Sequence, residues 1–211
     1  MKVLNITKDQ LSNIWFTADP HFNHANIIKY CNRPFKDELH MNSILISNWN
    51  SVVKPSDYIF ILGDFCKGGN STWNYFLNML NGNKILIVGN HDKDGAISTS
   101  LFTGVYEGFL NILVEDPEIK DGQRITLCHY PMLSWYQSHR GAWQLFGHWH
   151  SRKIKTVISS GSEQEAIIFE ENKQESKLSP RQYDVGVDGN DFTPISYYQV
   201  KKIIQSRNEE F

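Results

Sequence analysis

Apolar runs of strand length recur along the chain, at residues 13–17, 58–62, 84–88, 124–128 and 144–146. Each is rich in Ile, Val or aromatic side chains, which suit a pleated surface with at least one buried face. Between the first two runs the period changes. From Asp37 onward, Met41, Ile44, Leu45, Trp49 and Val52 recur at helical spacing and stop before Lys54-Pro55. An amphipathic helix with one apolar face is expected there. A second helix is expected from Ser71 or Thr72, as its cap, through Trp73, Phe76, Leu77 and Leu80 to Gly82. The last opens at Ser196, where Gln199 completes a capping box and Ile195 is placed to staple against Val200. Strands alternating with helices indicate a layered α/β (α+β) domain.

Residues 159–182 break this pattern. They are polar, contain Gly161 and Pro180, and are interrupted only by the apolar run 166–169. We read them as an insertion, with a hairpin pairing 154–158 against 166–169. No repeat and no Gly/Ser- or Pro-rich linker divides the chain, so residues 1–211 are read as a single domain.

Composition narrows the class. With 40% apolar and 21% charged residues among 211, the chain has enough apolar surface for a core and is not wholly disordered. No stretch approaches the roughly 18 apolar residues of a membrane span, and the first ten residues lack the apolar block of a secretory signal. A cytoplasmic protein is therefore expected. Three cysteines, Cys31, Cys66 and Cys128, are odd in number and show no paired spacing, which argues against a disulfide framework. A net charge of −2 supplies no footprint for long nucleic acid.

The chemistry lies just beyond the end of each apolar run. The five runs lead in turn into Asp19-Pro20-His21, Gly63-Asp64, Gly89-Asn90-His91-Asp92, His129, and Gly147-His148-Trp149-His150. Ligands commonly bind at the carboxyl edge of a sheet, so five strands would deliver metal-binding side chains to one place. Residues two apart in an extended segment point the same way, which lets Asp19 and His21, and likewise His148 and His150, aim at one site. Pro20 biases Asp19 toward an extended shape. Gly63, Gly89 and Gly147 stand where a chain leaving a strand sharply often needs permissive dihedrals. Two carboxylates (Asp19, Asp64), one amide (Asn90) and four imidazoles (His21, His129, His148, His150) exceed one tetrahedral centre and suffice for two with a shared bridge. Two divalent ions, two carboxylates and a bridging hydroxide leave about one positive charge, a balance that suits a phosphate ester.

In this order and at these strand ends, Asp-x-His, Gly-Asp, Gly-Asn-His-Asp, a lone His and Gly-His-x-His resemble the calcineurin-like metallophosphoesterase superfamily. Residues 24–30, Asn32-Arg33-Pro34-Phe35, His129-Tyr130-Pro131-Met132 and Asp184-Val185-Gly186-Val187-Asp188 further resemble a small bacterial and phage branch of predicted phosphoesterases. The resemblance implies a β-sandwich of two sheets flanked by helices and a two-metal phosphoric ester hydrolase. By the family's pattern Asp19, His21 and His150 would hold the first ion, Asn90, His129 and His148 the second, and Asp64 would bridge both. His91 would protonate the leaving oxygen, with Asp92 orienting it, as a bridging hydroxide attacks. Mn²⁺ is the preferred ion, with Fe, Zn²⁺, Ni²⁺ and Mg²⁺ as alternatives. The family's protein phosphatases carry Asp and Arg after Gly-Asp, whereas Gly63-Asp64 runs into Phe65-Cys66-Lys67-Gly68-Gly69, which argues against that activity.

A small phosphodiester or nucleotide-like ester is the expected substrate. A nuclease acting on short or single-stranded nucleic acid and a non-catalytic scaffold are the competing functions, and oligomeric state is left open. His24, Arg33, His139 and Arg140 are candidates for gripping substrate phosphate; Arg33, before Pro34, has the rival reading of a surface ion pair. Arg152, Lys153 and Lys155 either line the entrance or form a solvated strand face. For Trp135, Trp143 and Trp149, packing is favoured over stacking on a base.

Overall fold

Side-chain alternation along the central strands shows why helices and a second sheet both pack on the first. A computed structural model describes residues 3–92, 100–151 and 178–209. In β3 (Tyr58–Ile61), Ile59 and Ile61 face one way, while Phe60, and Leu62 just beyond it, face the other. In β4 (Asn83–Ile87), Leu86 and the pair Ile85 and Ile87 divide in the same manner. A strand buried on both faces reads as a continuous apolar run, which is why these segments are legible from sequence.

The first sheet has the order β10-β2-β3-β4-β5, completed by β2 (Ile14–Thr17), β5 (Gly104–Tyr106) and β10 (Ile195–Ser196), and is parallel except for β10. The second has the order β1-β6-β7-β8-β9, from β1 (Val3–Ile6), β6 (Phe109–Val114), β7 (Gln123–Cys128), β8 (Trp143–Phe146) and β9 (Gln182–Asp184). There only β6 and β7 pair antiparallel. Between the sheets lies one core in which Phe16 stacks on Phe60, joined by Leu110, Ile112, Leu127 and Leu145. The other face of the first sheet is covered by α2 (Glu38–Val52) and α3 (Asn70–Met79), through Met41, Leu45, Trp49, Trp73, Phe76 and Leu77. Two sheets flanked by helices are thus observed, as the resemblance implied.

Helix α2 opens where the pattern does: Asp37 is its cap, and the Asp37 carboxylate accepts the His40 N–H. Helix α3 differs from expectation. Its cap is Gly69 rather than Ser71 or Thr72, and it ends at Met79 because Leu80 is already extended and Gly82, at φ 92°, turns the chain into β4. The capping box of α4 (Tyr197–Glu209) is present: the Ser196 N–H donates to Gln199 Oε1, and the Gln199 N–H to Ser196 Oγ. Among the described residues, five strands are not legible in the apolar pattern. Of these β5, β9 and β10 have two or three residues, too few for a period, and β1 and β6 are interrupted by Asn5 and Asn111. The six-residue α1 (Ala25–Tyr30) escapes the pattern for the same reason. Gln182, the expected end of the insertion, opens β9; the proposed hairpin, with Arg152, Lys153 and Lys155, lies outside the described residues. No described helix is long and apolar enough to cross a membrane.

Candidate metal centre

β2, β3 and β4 of one sheet and β7 and β8 of the other run out at a common edge, and their ends carry the expected residues. Asp19 and His21 come after β2, Asp64 after β3, Asn90, His91 and Asp92 after β4, His129 after β7, and His148 and His150 after β8. The backbone there is not extended. Asp19 (φ 57°), His21 (50°), Asp64 (53°), His148 (70°) and His150 (52°) all occupy the left-handed region. For non-glycine residues this costs about 1–3 kcal/mol each and persists only where the surroundings enforce it. Here the Asp19 N–H donates to the Gly63 carbonyl at 3.0 Å and the His21 N–H to the Asp64 carbonyl at 3.1 Å, stitching two strand ends together.

The glycines therefore act differently from expectation. Gly63 does need its positive φ of 88°, but Gly89 and Gly147 are absent from that region and serve close approach instead. A Cβ on Gly147 would lie 2.6 Å from Asp19 Oδ2, and one on Gly89 2.6 Å from the Asp64 nitrogen.

Two triads of ligand atoms result. Asp19, His21 and His150 form one; Asp64, His129 and His148 form the other, each within 4.8 Å. His148 and His150 thus divide between two half-sites. One oxygen, Asp64 Oδ2, lies 3.5 Å from His21 Nε2 and 3.6 Å from His129 Nε2, between the triads. The other, Oδ1, accepts the His91 N–H at 2.8 Å. Asn90 Oδ1 sits 2.9 Å from His129 Nε2, in the second half-site.

The residues fit divalent cations. Asp19 Oδ1 and His21 Nε2 are buried without a hydrogen-bond partner, a costly arrangement that a cation relieves. His129 Nδ1 bonds the Leu62 carbonyl at 2.7 Å, which leaves Nε2 facing Asp64 and Asn90, and His150 Nδ1 bonds the Asp188 carboxylate at 2.8 Å, which leaves Nε2 as its ring atom for a metal that displaces the proton. Burial, reinforced by Asp184 and Asp64, raises the Asp19 pKa well above the carboxylate range. Burial likewise holds His21 and His129 toward the neutral form, and partial shielding moves the more exposed His148 the same way. His150 is the exception: burial opposes its charge, but hydrogen bonds to Asp188 and Cys31 and the nearby carboxylates raise it to about 10. A third group, Cys31, His150 and Asp188, also lies within ligand distance. Its carboxylate is already engaged by Arg33 and His150, so its proximity is that of a hydrogen-bonded cluster.

The remaining candidates scatter. His91 is exposed at the mouth, with its ring 5.6 Å from that of His21. Asp92 does not orient it. Its buried carboxylate accepts the N–H groups of Asp64 (2.8 Å), Phe65 (2.8 Å) and Gly89 (2.9 Å), locking two ligand loops together, and burial raises its pKa to about 6. His24 stands beside the centre, Nδ1 to Nδ1 3.3 Å from His21. Arg33 is not available to substrate: its side chain is fully buried, paired with Asp188 and bonded to the Asp19 and Pro20 carbonyls. His139 and Arg140 lie on a 3-10 turn between β7 and β8, and no described contact ties them to the cluster. Trp143 is buried against Tyr197, Trp135 donates to the Ala142 carbonyl and Trp149 abuts Phe146, all of them packing roles.

Two neighbours of the cluster receive no role from sequence reasoning. Asp188 bonds His150 Nδ1 at 2.8 Å, and its signal is the alternation Asp184-Val185-Gly186-Val187-Asp188. Tyr130 packs edge-on against His129 and His148, with ring centroids 4.9 and 4.7 Å away, and its hydroxyl lies 3.3 Å from Asn90 Oδ1. Its signal is its place beside His129 in the run His129-Tyr130-Pro131-Met132.

Two packed sheets with oxygen and imidazole ligands gathered at one edge define a metal-dependent phosphoesterase. The chain belongs to the calcineurin-like phosphoesterase family, whose model matches residues 12–152. Among its relatives is an uncharacterized protein of Methanocaldococcus jannaschii, 36% identical over 146 residues, 68% of this chain and 73% of that protein. The Gene 66 protein of Mycobacterium phage D29 is 27% identical over 213 residues, 94% and 99% of the two chains. A solved structure of a protein of unknown function from Aquifex aeolicus superimposes with a TM-score of 0.61 at 26% identity, covering 90% of this chain and 98% of that one.

Proposed function

We propose that the protein hydrolyses a small phosphodiester or nucleotide-like ester at a two-ion centre, with Mn²⁺ as the preferred ion. In this reading Asp19, His21 and His150 hold one ion, Asn90, His129 and His148 the other, and Asp64 both. The observation that carries it is the single Asp64 oxygen held between His21 and His129 at nearly equal distances. When bound, two divalent ions supply a nucleophile at neutral pH and neutralise phosphoryl oxygens.

The chain's own residues do the rest. The His91 N–H fixes Asp64 through its outer oxygen, while the His91 ring, exposed at the mouth, is the donor to the leaving oxygen. His24, beside His21, is the nearest of the substrate-gripping candidates. A diester is favoured over a monoester because it carries less charge, and among the described residues no arginine fork is left open at the cluster. A single catalytic domain acting in the cytoplasm completes the reading, supported by three unpaired cysteines.

The test is a panel of aryl and nucleoside monoesters, linear and cyclic diesters and short oligonucleotides, assayed after reconstitution with Mn²⁺, Zn²⁺, Ni²⁺ or Mg²⁺. Turnover of small diesters well above monoesters is expected. Hydrolysis confined to monoesters overturns the substrate assignment, and preference for oligonucleotides favours a nuclease.

A further inference from the structure

Arg33 and Asp188 belong to two segments that supply no metal ligand, yet they meet beside the first half-site. They lie 155 positions apart and form a two-pronged ion pair, Nε to Oδ1 at 2.9 Å and Nη2 to Oδ2 at 2.8 Å, with both side chains fully shielded from solvent. The pair is not closed on itself. Arg33 also donates to the Asp19 carbonyl at 2.7 Å and the Pro20 carbonyl at 2.9 Å. Asp188 Oδ2 also accepts from His150 Nδ1 at 2.8 Å. One ion pair therefore grips the backbone that carries Asp19 and His21 and the ring of His150.

We propose that Arg33 and Asp188 are a positioning pair for the first metal half-site. Asp188 sets the tautomer and tilt of His150 so that Nε2 faces the ion, and Arg33 clamps the left-handed turn that presents Asp19 and His21. The inference rests on the two-ion reading above. Three physical points carry it. An imidazole that donates Nδ1–H to a carboxylate is a better donor at Nε2. The left-handed residues at 19 and 21 need outside support, and the guanidinium satisfies two carbonyls of that turn. A planar fork reaches a carboxylate and two carbonyls at once, which a lysine ammonium on a flexible stem does not. The second half-site has no such pair among the described residues: His129 leans on the neutral Leu62 carbonyl.

The experiment is titration of the full-length metal-free protein with Mn²⁺, followed by calorimetry and electron paramagnetic resonance. Wild type is expected to take up two ions. Asp188→Asn is expected to weaken one of them by about 10–100-fold while the other stays unchanged, so the spin-coupled two-ion signal appears only at higher Mn²⁺. Arg33→Lys is expected to fall between the two. Asp188→Asn leaves Arg33 buried without its counter-charge, so the double variant Arg33→Met/Asp188→Leu, which removes both charges, is titrated beside it, with the metal-free melting temperature recorded. Variants that bind both ions with wild-type affinity overturn the proposal. Equal weakening of both ions with a lowered metal-free melt also overturns it, because that is the mark of general scaffolding. A wild type that takes up fewer than two ions defeats the two-ion reading itself, whatever the variants do.

Discussion

The Asp19 half-site holds two buried ligand atoms without a partner and a His150 ring bonded to a carboxylate; the His129 half-site has an equally buried ring bonded to a neutral carbonyl, and opens toward solvent at Asn90 and His148. Asp19 is 0% and His21 3% exposed, and both buried ligand atoms without a partner belong to the Asp19 half-site. In the other, His148 is exposed, Asn90 is half-buried and contributes a neutral amide, and Tyr130 closes the flank with its ring. A buried carboxylate oxygen without a partner is costly until a cation meets it, so the first half-site gains more from an ion than the second. The expected order of filling is the Asp19 half-site first and the His129 half-site second. The second ion is then the exchangeable one, on the side open to solvent.

The largest effect should come from removing what the two regions share. Asp64→Asn is expected to lose ions from both half-sites and to bring turnover below detection, read by elemental analysis of the reconstituted protein and by activity assay. Full retention of two ions would remove Asp64 from the bridge. Next is His91→Ala, which removes the ring and leaves in place the backbone N–H that bonds Asp64. General acid assistance is typically worth about 10²–10⁴ in rate, so turnover of alkyl or nucleoside esters should fall by that order, and of an activated aryl ester far less, at unchanged metal content. Equal losses on both substrates would take His91 out of the catalytic set.

Smaller effects separate the half-sites. Chelation should lower the melting temperature, since one ion at a hundred times its Kd stabilises by about 2.7 kcal/mol. Each kcal/mol moves the melt of a chain this size by about 2–4 °C. Asp19→Asn should remove most of that metal-dependent gain and His129→Gln the lesser part; the reverse ranking would invert the comparison. The smallest change is Tyr130→Phe, which deletes the hydroxyl beside Asn90. It should weaken the second ion by about 1 kcal/mol in a calorimetric titration and leave the first untouched.

The clustering of the candidate ligands is legible because each comes after a strand whose apolar run ends in sequence where the sheet ends in space. Thr17, Ile61, Ile87, Cys128 and Phe146 close their strands, and Asp19, Asp64, Asn90, His129 and His148 come one to three residues later. The wrong inferences share one form, a role assigned from neighbours in sequence. Adjacency pairs Asp92 with His91, but the Asp92 carboxylate faces the amides of Asp64, Phe65 and Gly89. Arg33 reads as a phosphate grip from its fork or as a surface ion pair; folding closes it in an ion pair with Asp188, but a buried one.

The sequence by itself determined which residue types stand at the strand ends, and hence a metal-dependent phosphoester chemistry, since hydrophobic periodicity and ligand type are local properties. Only the tertiary structure decided what supports those residues. The left-handed dihedrals at five of them, the capture of Asp92 by three backbone amides and the pairing of Arg33 with Asp188 all depend on burial and partner choice between distant segments. A buried charge takes whichever counter-charge folding brings within reach. No spacing within either segment encodes that choice.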